Sequence, residues 1–495
     1  MGVAKPHQIV RLSSTLVCKN RSAAVRCSPG ASRCFMGIVR YPNHSVGLQS
    51  TLPIETARIL KPVSLLFFSV LTSSEHAVDS SPAQPSVGSP PVQEARTPVE
   101  IPIYDASSMS PSPLITHLCK LFFANLGCSF PFLQRERFMR DLEEKQVDAI
   151  LVDAVCALAA RFSNHPMLTG TGAQQKEGET DVPKVQPSEY GQAFAQRAKS
   201  AIPDAFPCPS VAVVQAALLL AYDEFGASRD SGLWMYLGIA IRMAQDLGMQ
   251  SVGGLKYEGR NGPTPSSIRS DVEVGRLSEH APPQETGSSA EEQEQRAAER
   301  ERLDTFWSIF FLDRVISSGT GRPVTLRDRD IEISFPSLDE VDSSGWPLPY
   351  PALIRIIHLY GRVTDLLNRI RNAADITTDL QKQLGAWEDR LTGIYQNLSP
   401  KLHFNAVNFQ QYVKLNQGTN FLLLHCWFHT LIVLLHQPTL LRTFEGSPQS
   451  LSTNSRELSM SSAKTVADIL AFTELIDVKT GMGNPFTRYG LTASV

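Results

Sequence analysis

Two stretches constrain the fold more than any others: WMYLGIAIRMAQDLGM, from Trp234 to Met249, and RLDTFWSIFFLDRVISSGTGRPVTLRDRDIEISFP, from Arg302 to Pro336. In the first, with Leu233 just ahead of it, Leu237, Ala240, Ala244 and Leu247 recur at helical spacing and share one face. Gly248 follows where a left-handed C-terminal cap belongs. In the second, Phe306, Trp307, Phe310, Val315 and Ile316 present an apolar surface that must be covered. Asp313 and Arg314 interrupt that surface, and their expected role is to hydrogen-bond at the helix end; an effector contact is the alternative. SSGTGRP then stops the helix, with Pro323 fixing the backbone and Gly319 and Gly321 expected to permit positive φ.

The residues before Trp234 complete a hairpin. Ser210 is placed to cap a helix whose Val211, Val214, Leu218, Ala221 and Tyr222 form a stripe, and EFGASRDSG is a short turn before Asp230 or Ser231 restarts the helix. Small residues at Gly238, Ala240 and Ala244 are expected to let the partner helix approach closely. Helical patterning extends from Leu114 to Met249, resumes at EEQEQRAAERERLDTFW and continues from Leu353 to Phe472, with breaks near Ser399–Pro400 and Gly446–Pro448. Alternating β-branched runs are missing, which argues against a large sheet. The fold class that follows is all-α, a large multi-helix body of packed helical hairpins.

Composition sets the boundaries. With 42% hydrophobic and 19% charged residues and a formal net charge of -3, the chain reads as globular, with no overall field for nucleic acid or anionic membrane. Residues 1–72 read as a poorly structured leader; Met1 to Ile54 contains no Asp or Glu, an Arg- and Ser-rich start that also has the character of a mitochondrial transit peptide. Residues 73–113 are Ser/Pro-rich and read as a linker, 114–480 as the helical domain with a disordered insertion at 251–290, and 481–495 as a tail. Eight scattered cysteines read as reduced thiols rather than as a disulfide framework.

Other chemistry has an ordinary explanation nearby. His425, Cys426, His429 and His436 lie in FLLLHCWFHTLIVLLHQP, and the first two histidines are four apart on one helical face. Without the Glu of the metalloprotease pattern or an acidic third ligand in the neighbourhood, they read as core histidines, and no metal site is assigned. No charge falls between Lys414 and Arg442, a length able to cross a bilayer, but three His and a Pro favour a buried helix and no membrane partner. The Gly-rich triplets at Gly170, Gly319 and Gly481 read as turns. No nucleophile and base pair is evident, so no catalytic residue is assigned and the chain is not read as an enzyme.

Taken in order, Gly238-Ile-Ala240, Ala244-Gln-Asp-Leu247-Gly248, Phe306-Trp307, Asp313-Arg314, Gly321-Arg322-Pro323, Asp330-Ile331 and Pro336 resemble the regulatory, or middle homology, domain of fungal zinc-cluster transcription factors. HLCKLFFANLGCSFPFLQRERFM resembles the opening of that domain, and HTLIVLLHQPTLL a later helix that ends at a Pro. The resemblance covers about two-thirds of the chain. It implies a nuclear regulator of RNA polymerase II-dependent transcription whose helical domain serves effector sensing, autoinhibition or dimerisation. It also implies DNA as a partner, zinc as a cofactor, homo- or heterodimers with zinc-cluster factors and a small-molecule effector. The six-cysteine cluster that would hold zinc begins with Cys-x-x-Cys, and that spacing occurs nowhere in this sequence. DNA-binding residues are therefore not identifiable, and direct sequence-specific binding by the usual route is not expected; the abrupt tail suggests truncation at both ends. The alternative is a non-transcriptional helical scaffold in an organelle.

Overall fold

Ser210, Ser289, Thr377 and Asn405 each accept a backbone N–H from the first turn that follows them, so the chain marks its helix starts with short polar side chains. The computed structural model describes residues 101–107, 109–169, 189–268, 289–370, 375, 377–441 and 453–487. The main helices are α1 (Pro113–Asn125), α2 (Arg135–Glu143), α3 (Ala149–Ala159), α4 (Gln192–Ala201), α5 (Val211–Gly226), α6 (Asp230–Asp246), α7 (Ala290–Asp313), α8 (Tyr350–Leu367), α9 (Thr378–Gln396), α10 (Ala406–Lys414), α11 (Gly418–Leu441), α12 (Thr453–Ile476) and α13 (Val478–Met482). Extended pairing among the described residues is limited to two isolated bridges, Tyr104 with Pro111 and Val341 with Pro347. The all-α expectation holds.

One continuous apolar core joins these helices. In the first half, α5 pairs with α6 as the expected hairpin and also packs on α3, which in turn meets α1 and α4. Its burial is wider than the predicted stripe: every residue from Val213 to Glu224 is buried, because α3, α6 and α7 cover different sides. In the second half α11 is the hub, touching α8, α9, α10, α12 and α13. The halves are tied by Asn420 Nδ2 donating to Cys128 O at 2.5 Å and by Ser129 Oγ donating to Gly483 O at 3.0 Å. Phe486 closes the seam, packed against Tyr222, Phe225 and Phe311.

Gly418–His436 is long and apolar enough to cross a bilayer, yet all of it is buried inside the body, as a core helix would be. His425 and His429 are buried there and pulled down by loss of solvent, His429 to about 3, so both are neutral at physiological pH. Tyr395, Ser462 and Ser455 stand beside His425, His429 and His436 respectively. Among the described residues, no group of three or more His, Cys, Asp or Glu is gathered to hold a metal ion.

Several expectations are corrected. The insertion is not wholly disordered: Leu255 and Pro265 are buried, and the Glu299 carboxylate accepts N–H groups from Lys256, Tyr257 and Glu258 at 2.9–3.1 Å. Composition missed this because the acceptor comes from α7; residues 269–288 lie outside the described residues. The Ser/Pro stretch is packed at its end, with Ile101 buried and its carbonyl accepting from Arg197 Nη1 at 2.5 Å. α11 continues through Pro438 to Leu441 instead of ending at the Pro, and Gly481 sits within α13 instead of in a turn. Gly170, the Gly446–Pro448 break and the acid-free leader lie outside the described residues.

Candidate functional site

The two signature stretches meet, clamped at both ends. α6 and α7 run antiparallel, so Arg302, early in the second stretch, reaches the C-terminal end of α6. Its Nη2 donates to Gly248 O at 2.6 Å and its Nη1 to Gly253 O at 3.1 Å, tying the turn beyond α6 to α7. Gly248 has φ +61°, as its cap role requires. At the opposite end, the guanidinium of Arg322 lies 4.6 Å from the ring centroid of Trp234, a cation–π contact. Gly321, with φ +70°, turns the chain so that Arg322 arrives there.

Between the clamps lies a cavity of about 750 Å³ along α6, walled by Trp234, Met235, Gly238, Ile239 and Phe206, with Arg242 and Asp246 at the rim and Asp313 and Thr325 at the back. Met235 and Phe206 are mostly exposed, so the wall offers apolar surface. Gly238 departs from expectation. A Cβ there would meet nothing within 4 Å, so this glycine opens the cavity and does not admit a partner helix. Ala240 and Ala244 are fully buried in the hairpin, as expected, while Leu247 is only partly buried.

Behind the cavity, α7 does not stop at the Asp-Arg pair. It continues as one π-turn, Arg314–Ser318, before SSGTGRP breaks away. Gly319 is in the right-handed region at φ -65°, contrary to expectation; what it provides is closeness to Tyr360, whose hydroxyl would lie 3.2 Å from an added Cβ. Asp313 is wholly buried and accepts N–H groups from Thr325 at 3.1 Å and Leu326 at 2.9 Å, and a hydroxyl from Ser317 at 3.1 Å. It therefore holds the strand of chain that forms the back wall. Arg314, also buried, lies 4.3 Å over the Phe310 ring and donates to Asp328 Oδ1 at 2.7 Å.

Asp328 is the centre of charge. His358 Nε2 lies 2.9 Å from it and Arg362 Nη1 3.5 Å. Burial favours its neutral form, but His358 and the two arginines outweigh burial and hold it down at about 2. His358 is itself pushed down by burial, and its Nδ1 is buried without a partner among the described residues. Gly361 admits the Arg314 side chain: a Cβ there would stand 2.6 Å from Arg314 Cδ. Phe306 and Trp307 are core residues, with Trp307 stacked on Phe335 at 5.1 Å. Pro323, beside the clamp, is exposed.

The structure thus gathers Gly238, Gly248, Asp313, Arg314, Gly321 and Arg322 around one feature and leaves Phe306 and Trp307 in the core beneath it. Sequence reasoning missed Asp328, His358 and Gly361. Asp328 and His358 are 14 and 44 residues from Arg314, and no local pattern marks them. The cysteines do not fit a six-cysteine zinc cluster: none is spaced as Cys-x-x-Cys, and Cys119, Cys128, Cys156, Cys208 and Cys426 are free thiols on separate elements.

Residues 119–369 match the family described as the fungal specific transcription factor domain. The chain is similar to the Zn(2)-C6 fungal-type transcription factor FTF1c of Fusarium oxysporum f. sp. lycopersici, at 24% identity over 389 residues, covering 72% of this chain and 37% of that protein. It is also similar to two uncharacterised transcriptional regulatory proteins of Schizosaccharomyces pombe, at 26% identity over 66% of this chain and 33% of the relative, and at 29% over 49% and 57%. The chain covers less than two thirds of the length of each of these relatives.

Proposed function

Because this chain belongs to the fungal-specific transcription factor domain family, we propose that it regulates RNA polymerase II-dependent transcription in the nucleus, with the cavity along α6 sensing a small apolar effector. The observation that carries this reading is the double clamp, Arg302 on Gly248 and Arg322 on Trp234, across a cavity whose back wall hangs from Asp313. An effector inserted beside Trp234 competes with Arg322 for the indole face. Release of Arg322 frees the Gly-Arg-Pro turn, and the π-turn offers a second way to wind the same residues. A ligand shifts such an equilibrium only by its differential affinity for the two arrangements. That the cavity's wall and its clamp belong to different stretches supports such a difference. Contact with DNA, and pairing with a second zinc-cluster factor, belong to the same proposal.

The test is a reporter gene driven by this chain fused to a heterologous DNA-binding domain. Trp234→Ala and Arg322→Ala should each change reporter output by roughly fivefold or more, the lower end of ordinary coupling between sites. Fusions that localise to the nucleus, accumulate normally and give the same output as wild type would sink the reading.

A further inference from the structure

A second cavity, of about 730 Å³, lies across α7 from the first, and the family signature does not account for its contents. Its apolar surface comes from Leu303, Trp307, Phe335 and Leu338, and its far wall is the ordered part of the insertion, Tyr257–Pro263. Gly259 and Gly262 hold that wall with φ of +69° and +127°. The polar groups are unevenly satisfied. Arg300 pairs with both Asp304 and Glu340, and Glu340 also accepts the Ser337 N–H. Arg355, from α8, has no carboxylate within ion-pair distance among the described residues, although Glu340 and Asp339 lie near enough to act on it. Its Nη1 donates to Pro336 O at 2.6 Å and Pro351 O at 3.1 Å, and its guanidinium lies 5.3 Å over the Phe335 ring.

Nε and Nη2 of Arg355 carry no hydrogen bond among the described residues. Burial pulls Arg355 down to about 10 in spite of Glu340 and Asp339 nearby. A half-buried guanidinium fork with free donors, set over an aromatic ring, matches a planar carboxylate. The remaining rim charges argue for a single negative charge. Glu258, Asp304, Asp339 and Glu340 outnumber Arg260, Arg300 and Arg355 in the lining, so a dianion would meet more repulsion than one arginine offsets.

We propose that this cavity binds an organic monocarboxylate with an apolar body, its carboxylate on Arg355 and its body against Leu303, Phe335 and Leu338. This site is separate from the cavity along α6 and does not depend on what that cavity senses.

Calorimetric titration of the full chain with 2-naphthoate, its neutral isostere 2-naphthamide and inorganic phosphate tests the proposal. Saturable binding of 2-naphthoate, with the amide weaker by about tenfold or more, is expected, since the charged pair roughly doubles the strength of a hydrogen bond. Arg355→Gln should lose about tenfold in affinity, and Arg355→Lys, which keeps the charge but not the fork, a comparable factor. Failure of wild type to bind 2-naphthoate, or equal binding of the amide, overturns the assignment even if neither variant folds. So does phosphate binding more tightly than 2-naphthoate. Binding that persists in both folded variants, or that is lost instead in Trp234→Ala, places the anion elsewhere and also overturns it.

Discussion

Two charged centres share α8 and are built in opposite ways. At Asp328 one carboxylate receives Arg314, His358 and Arg362, more donors than it needs. At Arg355 one guanidinium has carbonyls on one nitrogen, an aromatic ring beneath it and, among the described residues, no carboxylate within ion-pair distance. The first is a lock. Its carboxylate is satisfied internally and a ligand would have to displace an ion pair to enter. The second keeps donor capacity in reserve beside open volume. Completeness of internal pairing, more than the presence of charge, separates a structural centre from a receptive one.

The largest effect should come from opening the lock. Asp328→Ala leaves Arg314, which is 2% exposed, with Asp313 Oδ2 at 3.3 Å as its remaining carboxylate, and should cost about 3 kcal/mol in urea unfolding. A loss below about 1 kcal/mol would break the comparison, because the centre would then hold nothing. Acid should approach the same result more gradually. Asp328 is lowered from an ordinary 3.8 to about 2, so its contribution is fully present above the unfolded value and is lost as pH falls through the folded one. The stability gap between wild type and Asp328→Asn, about 2 kcal/mol above pH 5, should therefore close between pH 4 and about 2. A gap that is constant across that range would remove the electrostatic account.

A smaller effect tests how Arg314 is seated. Gly361→Ala places a methyl group 2.6 Å from Arg314 Cδ, and the overpacking should cost about 1–3 kcal/mol despite the better helix propensity of alanine. The smallest effect has the opposite sign. At Gly238, where the added Cβ meets nothing, alanine should stabilise by about 0.5–1 kcal/mol through helix propensity alone. Thermal unfolding of the two variants side by side sharpens the contrast between a filled centre and an open cavity: two mid-helix glycines, one substitution, opposite shifts.

Much of the scaffold was legible in the sequence. The hairpin of α5 and α6, the helix through Phe306 and Trp307, and the buried nature of α11 follow from apolar spacing and from polar caps such as Ser210. The structural duty of Asp313 was legible as well, because a carboxylate at a helix end inside an aromatic run has few other roles. What stayed hidden depends on distant partners. Gly238 and Gly361 look alike in sequence, and only the tertiary neighbour distinguishes an opening from a seat. The order in residues 255–268 comes from Glu299, more than thirty residues later. The π-turn has no composition of its own; it arises because Arg314 must reach Asp328 while Asp313 holds Thr325 and Leu326.

That widened turn also makes the register of the chain sensitive to length. A residue deleted within Arg314–Ser318 would let the segment relax into regular winding with its direction kept, but a residue deleted from the α-helical turn just before it would rotate whatever follows by roughly 100° about the helix axis. The indole of Trp234 would then lose its cationic lid while every apolar residue upstream kept its place. A lineage that drifted by a single codon there would keep its body intact and lose the contact of Arg322 with Trp234 that joins the two stretches.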